Sequence, residues 1–206
     1  MADKGVKIRS AGAVILAAGL AKRARGPKAV WLVEGVPSVR RVAEAALKAK
    51  LVAETVAVVG GPWAGEIEKA LSGLPLKLVE NKNFASGQAS SLKAGLLSLD
   101  SSLEAAVFLL ADQPFLSSQI IDDLLKFHWT NNAGLSAPLL SGRRLNPVVF
   151  NLRRFRGDLM NLTGDTGGRE IIAAHESELA PWPAEGYAES CFADFDTVED
   201  YERLNK

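Results

Sequence analysis

Four cations, Lys22, Arg23, Arg25 and Lys28, follow Gly19 within ten residues, straight after the apolar run Ala13-Val14-Ile15-Leu16-Ala17-Ala18. Gly19 and Gly26 free backbone N–H groups among these cations, and such a loop suits a polyphosphate. The plainer alternative is a cationic, solvated turn after a core strand. A second group is Asp112, which closes another apolar run in Leu109-Leu110-Ala111-Asp112-Gln113-Pro114. A carboxylate facing a phosphate loop makes chemical sense with Mg²⁺ between them, because Mg²⁺ takes one or two carboxylates plus phosphate oxygens. As a turn or helix-capping residue before Pro114, the same aspartate needs no metal. Asp194 and Asp196 are two apart, so in an extended strand they point the same way; capping the last helix is their simpler role. In Asn81-x5-Gly87-Gln88-Ala89-Ser90-Ser91-Leu92, Gly87 permits close backbone approach, while Ser90 or Ser91 can donate to a base or cap a helix. Capping is the expected role of at least one serine.

Several familiar chemistries are excluded. No Gly-Lys-Ser or Gly-Lys-Thr follows Gly19, so there is no P-loop there, and Gly-Leu-Ala-Lys-Arg-Ala is not a dinucleotide fingerprint. No G-x-S-x-G nucleophile elbow is present. His128 extends the apolar face of a helix and reads as a packed histidine, and His175 has no partner pattern, so neither marks a metal site or a triad.

These groups need a scaffold, and the chain provides one. Its 206 residues, 48% hydrophobic, are enough for one well-buried domain. Lys plus Arg equals Asp plus Glu at 24 each, so no global charge drives binding to nucleic acid or a membrane, and local clusters must hold any anion. The single Cys191 excludes an intrachain disulfide and fits a reducing cytosol. No stretch approaches the roughly 20 apolar residues of a membrane span, and the polar start lacks the apolar core of a signal peptide. A cytoplasmic protein is expected.

Strands and helices alternate along the first half. After the loop, Val39, Val42, Ala43, Ala46 and Leu47 form one helical face introduced by Pro37 and Ser38. Thr55 to Val59 predicts a strand, Trp63 to Leu71 a helix, Leu76 to Val79 a strand, Ser90 to Leu99 a helix and Ala105 to Ala111 a strand. This alternation argues for a doubly wound α/β sheet. Further on, Ser118 to Phe127 predicts a helix, Leu135 to Leu140 and Asn146 to Phe150 a strand pair, Asn151 to Leu162 a helix, and Phe192 to Phe195 a last strand. Thr197 to Asp200 resembles a capping box for a final helix. The second half is expected to decorate the sheet and wall a second substrate.

The loop from Leu16 to Lys28 resembles the L-A-A-G-x-S/G-x-R-M-G-x-x-K loop of the MobA-like nucleotidyltransferases. Leu16, Ala17, Ala18, Gly19, Arg23 and Lys28 stand at matching places, while Ala21 replaces Ser or Gly and Ala24-Arg25-Gly26 replaces Met-Gly-x. Leu109 to Pro114 looks like the family's L-x-x-D-x-P segment, whose aspartate holds the metal. Asp194-Phe195-Asp196-Thr197-Val198-Glu199-Asp200 is similar to its D-x-D-T-P-E-D ending, which assigns a second metal contact to Asp196, or to Asp194. The segment from Asn81 to Leu92 resembles the signature of the molybdopterin cytidylyltransferase branch, in which Gly87 and Ser91 would line the nucleobase pocket. Gly164-Asp165-x-Gly167-Gly168-Arg169 looks like that branch's G-D-x-G-A/G-R, making Arg169 a candidate contact for the acceptor's phosphate. Asn146 stands where the branch has His in G-x-x-G-H-P, with Leu145 in place of Gly. Guanylyl-transferring relatives read L-A-G-G where this chain has Ala18, and Pro27-Lys28 looks like the cytidylyl branch's R-P-K.

The resemblance implies a single-domain, Rossmann-like, mostly parallel sheet of the nucleotide-diphospho-sugar transferase type, with the nucleotide on the first half and the acceptor on the second. It implies transfer of CMP from CTP to the phosphate of a molybdopterin-type cofactor, with release of pyrophosphate. Lys28, Arg23 and Asp112 would be catalytic, Mg²⁺ the cofactor, and a molybdoenzyme a conceivable client. Two alternatives stay open: the same fold acting on a sugar or isoprenoid precursor, and a non-catalytic chaperone of the molybdenum cofactor.

Overall fold

In the computed structural model, which describes residues 9–19, 26–165, 167–195 and 201–202, the first apolar run becomes strand β1 (Ala11–Leu16), buried as far as Ile15. Ala11, Ala13 and Ile15 enter one hydrophobic core and Val14 the other. A strand covered on both faces has no need of polar alternation. A two-strand hairpin, β2 (Leu32–Val33) and β3 (Val36–Pro37), leads into α1 (Ser38–Lys48), whose Val39, Val42, Ala43 and Ala46 are fully buried. There follow β4 (Val52–Val59), α2 (Ala64–Leu71), β5 (Lys77–Glu80), α3 (Gln88–Ser98) and β6 (Ala105–Leu110). The second half adds α4 (Ser118–Thr130), β7 (Leu135–Leu140), β8 (Arg143–Arg144), β9 (Val148–Asn151), α5 (Leu152–Asn161), α6 (Arg169–Ala174) and β10 (Leu179–Pro183).

The strands lie in the order β10-β7-β9-β6-β1-β4-β5, with β8 paired to β7. β1 runs parallel to both β4 and β6, β4 to β5, and β7 to β10, whereas β9 is antiparallel to β6 and β7. Helices α1, α2 and α4 pack on one face of the sheet and α3, α5 and α6 on the other. This is a single-domain, doubly wound, mostly parallel α/β fold. Leu16 of β1 stands beside Leu110 of β6, so the turns that follow them, carrying Gly19 and Asp112, open on one rim. That rim, at the carboxyl ends of parallel strands, is where such sheets bind ligands. No helix among the described residues is long and apolar enough to cross a membrane.

The second half departs from expectation in three ways. It extends the sheet rather than decorating it, through β7, β9 and β10. Strand β10 escapes sequence reading because Pro181 and Pro183 break its pattern; both are tolerated because β10 is an edge strand paired only with β7. Phe192 to Phe195 is no strand. A 3₁₀ turn spans Glu189–Phe192, and the buried Phe195 ring packs 5.8 Å from Trp31 and 5.7 Å from Tyr201 instead of following a ladder. Thr197 to Asp200 lies outside the described residues.

Candidate active site

Two turns of the rim are tied together before any side chain is considered. The Ala111 N–H donates to the Leu16 carbonyl at 3.3 Å, and the Ala17 N–H to the Val58 carbonyl at 2.9 Å. The fully buried Ser38, first residue of α1, donates its hydroxyl to the Ala111 carbonyl at 2.7 Å. Asp112 therefore leaves a turn held from both sides. Lys28, at the start of a 3₁₀ turn (Lys28–Val30), brings Nζ to 3.8 Å from Asp112 Oδ2. Both side chains are mostly covered, at 15% and 25% exposure, yet they border a cavity of about 300 Å³. Its walls include Leu16, Ala17, Ala18, Gly19, Lys28, Ser91 and Asp112, so residues from three separate segments of the sequence meet there. Arg23 lies outside the described residues.

The turn before α3 is built by Asn81. Its buried carboxamide donates from Nδ2 to Ser90 Oγ at 2.8 Å and Ser91 Oγ at 2.9 Å, while Oδ1 accepts the Asn83 N–H at 2.9 Å. Ser91 Oγ is thus supplied with a donor, and its own O–H can serve an acceptor in the cavity. Neither serine caps the helix, contrary to expectation: Ser90 donates to the Gly87 and Asn83 carbonyls. The capping groups come from another loop, where Asp165 Oδ1 accepts the Gln88 N–H and the Gly164 carbonyl the Ala89 N–H, each at 3.1 Å. Gly87 makes that possible. With φ at +105°, a Cβ there would lie 2.3 Å from the Gly164 oxygen, so the close approach that it permits is to this loop. Gly87 is not among the residues lining the cavity.

A second, smaller cavity of about 110 Å³ adjoins the first. Asn146 and Arg169 stand in its wall, over an apolar floor that includes Leu92, Phe108, Val148 and Phe150. Leu16, Gln88 and Leu110 belong to both cavities, and Gln88 is the one polar residue of the three. Sequence reading passed over Gln88, treating it as a spacer between Gly87 and the serines, and over Trp63 and Ile67, which also line the larger cavity.

The carboxyl-terminal aspartates are linked to Asp112 through its neighbour. Gln113, buried, donates Nε2 to the Phe192 carbonyl at 2.7 Å and so anchors the segment that carries the exposed Asp194 to the Asp112 turn. Asp196 lies outside the described residues. Among the described residues no group of three or more His, Cys, Asp or Glu could by itself hold a metal. One or two carboxylates beside a cationic anion pocket instead suit a hard cation that completes its shell with water and substrate phosphates. The histidines stand apart from this chemistry. His128 is buried, its Nδ1 2.9 Å from Ser136 Oγ, and burial pushes its pKa down to about 4. His175 packs edge-on against Phe155 with Asp158 and Glu178 beside it.

The model of the MobA-like NTP transferase domain matches residues 13–179. No curated protein matches the sequence. Among solved structures, Rv0371c from Mycobacterium tuberculosis H37Rv superposes with a TM-score of 0.82 at 21% identity, over 96% of this chain and 98% of that one. The same protein in complex with manganese gives a TM-score of 0.78 at 20% identity, over 95% and 97%. The 4-diphosphocytidyl-2C-methyl-D-erythritol synthase from Anaerococcus prevotii DSM 20548 gives 0.75 at 14% identity, over 99% and 98%. At these identities the likeness is one of fold.

Proposed function

The chain belongs to the MobA-like NTP transferase family and is a nucleotidyltransferase; from that premise we propose that it transfers CMP from CTP to the phosphate of a molybdopterin-type acceptor. An oxygen of the acceptor's phosphate attacks the α-phosphorus, the bond from that phosphorus to the α,β-bridging oxygen breaks, and pyrophosphate leaves. Such a transfer asks the protein for positioning and charge neutralisation rather than covalent chemistry. The first half of the chain takes the nucleotide and the second the acceptor.

The observation that carries this reading is the pair of adjoining cavities: a larger one walled by the β1 turn, Lys28 and Asp112, and a smaller one bearing Asn146 and Arg169. Lys28 balances charge at the α-phosphate, while Arg23 and the amides of the Gly19 turn serve the β- and γ-phosphates. Ala17, Ala18 and Ser91 shape the base side, Gly87 acts behind them by seating the Gly164 loop, and Asn146 and Arg169 receive the acceptor. Asp112 and Asp196, with Asp194 as the other candidate, would hold Mg²⁺, which supplies electrostatic relief to the phosphate oxygens. The manganese complex of Rv0371c supports a divalent metal.

A second reading is favoured by one feature. The acceptor-side cavity measures only about 110 Å³ and has an apolar floor, which suits a compact acceptor such as a sugar or isoprenoid-precursor phosphate; the Anaerococcus synthase carries a product of that kind in its name. Incubation with CTP and Mg²⁺ plus molybdopterin, or plus a panel of small sugar and polyol phosphates, separates the two. Pyrophosphate together with a cytidine dinucleotide of molybdopterin is the expected result. Product from a small phosphate alone would replace the acceptor, and no pyrophosphate with any of them would overturn the transfer reaction.

A further inference from the structure

The two cavities share three residues, Leu16, Gln88 and Leu110, and only Gln88 among them can make hydrogen bonds through its side chain. If nucleotide fills one cavity and acceptor the other, the reacting phosphorus lies where they meet, and Gln88 is the polar residue that borders both sides of that junction. Its place there is prepared by the loop that follows α5. Asp165 fixes the Gln88 backbone by accepting its N–H, and Gly167 makes room for its side chain. Gly167 has φ at +57°, and a Cβ on it would come within 2.3 Å of Gln88 Oε1 and 3.0 Å of Cδ. Any larger residue would push the carboxamide out of the seam. Three positions of Gly164-Asp165-x-Gly167-Gly168-Arg169 therefore act on α3: Gly164 and Asp165 cap it and Gly167 seats its first side chain.

We propose that Gln88 contacts both substrates, donating from Nε2 to the phosphate oxygens at their junction, while Oε1 lies over Gly167. This assignment rests on the two-substrate reading above. The chemistry suits an amide. Two anions must approach each other there, and a neutral donor aids that approach without a charge that would bind one substrate too tightly. The shared walls, Leu16 and Leu110, are apolar, and a fixed donor in low-dielectric surroundings stabilises developing charge more than one in water. The loop with Gly167 reports on both substrates through the same residue, because Arg169 at its end lines the acceptor cavity.

The test uses the full-length protein and has two arms. In a Cys191→Ser background, Gln88→Cys places a thiol at the seam, and its alkylation by N-ethylmaleimide is followed with and without CTP and Mg²⁺. With CTP at about 100 times its Kd, alkylation should slow by the order of 10- to 100-fold, because only unliganded protein exposes the thiol. Second, Gln88→Met and Gln88→Glu are compared by pyrophosphate release with molybdopterin as acceptor. Loss of a hydrogen bond to a charged group predicts a fall in kcat/KM of roughly 10- to 100-fold for Gln88→Met. Gln88→Glu should fall further, since it sets a carboxylate against phosphates. A merely structural glutamine would show the reverse order, because glutamate keeps its shape. Calorimetric binding of CTP to the Gln88→Cys protein, together with unchanged alkylation at position 88, would overturn the assignment alone. Wild-type protein that binds no CTP would overturn the nucleotide reading and this assignment with it.

Discussion

Lys28 Nζ and Asp112 Oδ2 face each other at 3.8 Å, near enough to share a field and too far apart for a hydrogen bond. A cation and a carboxylate at this range on one cavity wall suit a phosphate and a hard metal ion respectively. Asp112→Asn preserves size and removes charge. Its turnover should fall by about 10²–10³-fold, the usual cost of one lost electrostatic stabiliser, with an unchanged circular dichroism spectrum. Near-normal pyrophosphate release with unaltered metal dependence would exclude Asp112 from the metal site.

Lys28→Ala should act differently. Charge at the α-phosphate is most usefully neutralised in the transition state, and interactions stronger there than in the ground state appear in kcat. The expected outcome is a larger loss in kcat than in CTP affinity, measured by steady-state rates and calorimetry on the same preparation. Equal losses in both would make Lys28 a simple binding residue.

Asp112 is placed by a residue that never meets the cavity. The Ser38 hydroxyl donates to the Ala111 carbonyl at 2.7 Å in a fully buried setting. Ser38→Ala strands that acceptor, at a cost of about 1–3 kcal/mol. Urea denaturation should show the loss as a lower midpoint with unchanged slope, and turnover should drop as the Asp112 turn loosens.

The half of the site that lies on β1 and β6 was legible because buried parallel strands announce themselves. Val14 and Ile15, like Val107 to Leu109, sit in unbroken apolar runs, and each run leads into a turn that borders the larger cavity. Asn146 and Arg169 were legible only by resemblance, and they do share a cavity. What stayed hidden depended on partners distant in sequence. Nothing near Gln88 signals that Gly167 leaves room for it or that Asp165 holds its amide. Phe195 alternates with polar neighbours as a strand residue would, but Trp31 and Tyr201 draw its ring into an aromatic cluster. Strand β10 was masked by its own prolines, which only an edge position can accommodate.

His128 gives the fold a pH dependence. Its pKa falls from 6.5 to about 4 on burial, so the unfolded chain binds the proton more readily. Stability then rises with pH wherever the unfolded state holds more protons. The contribution of neutral His128 is complete above about pH 6.5 and is lost as pH drops toward 4, by on the order of 2–3 kcal/mol. Denaturation midpoints measured between these limits should fall with acidification in the wild-type protein. The slope should flatten in His128→Leu, and an equally steep slope there would assign it to other groups.

On the proposed reading, the choice of base falls to Ala18 and Ser91. Both line the larger cavity. Ser91 accepts from Asn81 and so presents its O–H as a donor; the pairing edge of cytosine offers adjacent acceptors at O2 and N3, whereas that of guanine carries donors at N1 and N2. A site built around such a donor leaves polar groups unpaired with the wrong base, and mismatches of that kind discriminate strongly. The Ala18 methyl, which also packs toward Gly60 at the end of β4, narrows the space for a purine. Exclusion by one methyl is weaker, about 1–3 kcal/mol. CTP should therefore react faster than GTP on the same acceptor. Ala18→Gly should relax the preference without reversing it, and Ser91→Ala should erode it further. Initial rates of pyrophosphate release with each nucleotide measure this directly; faster transfer from GTP by the wild-type protein would assign the pocket to guanine.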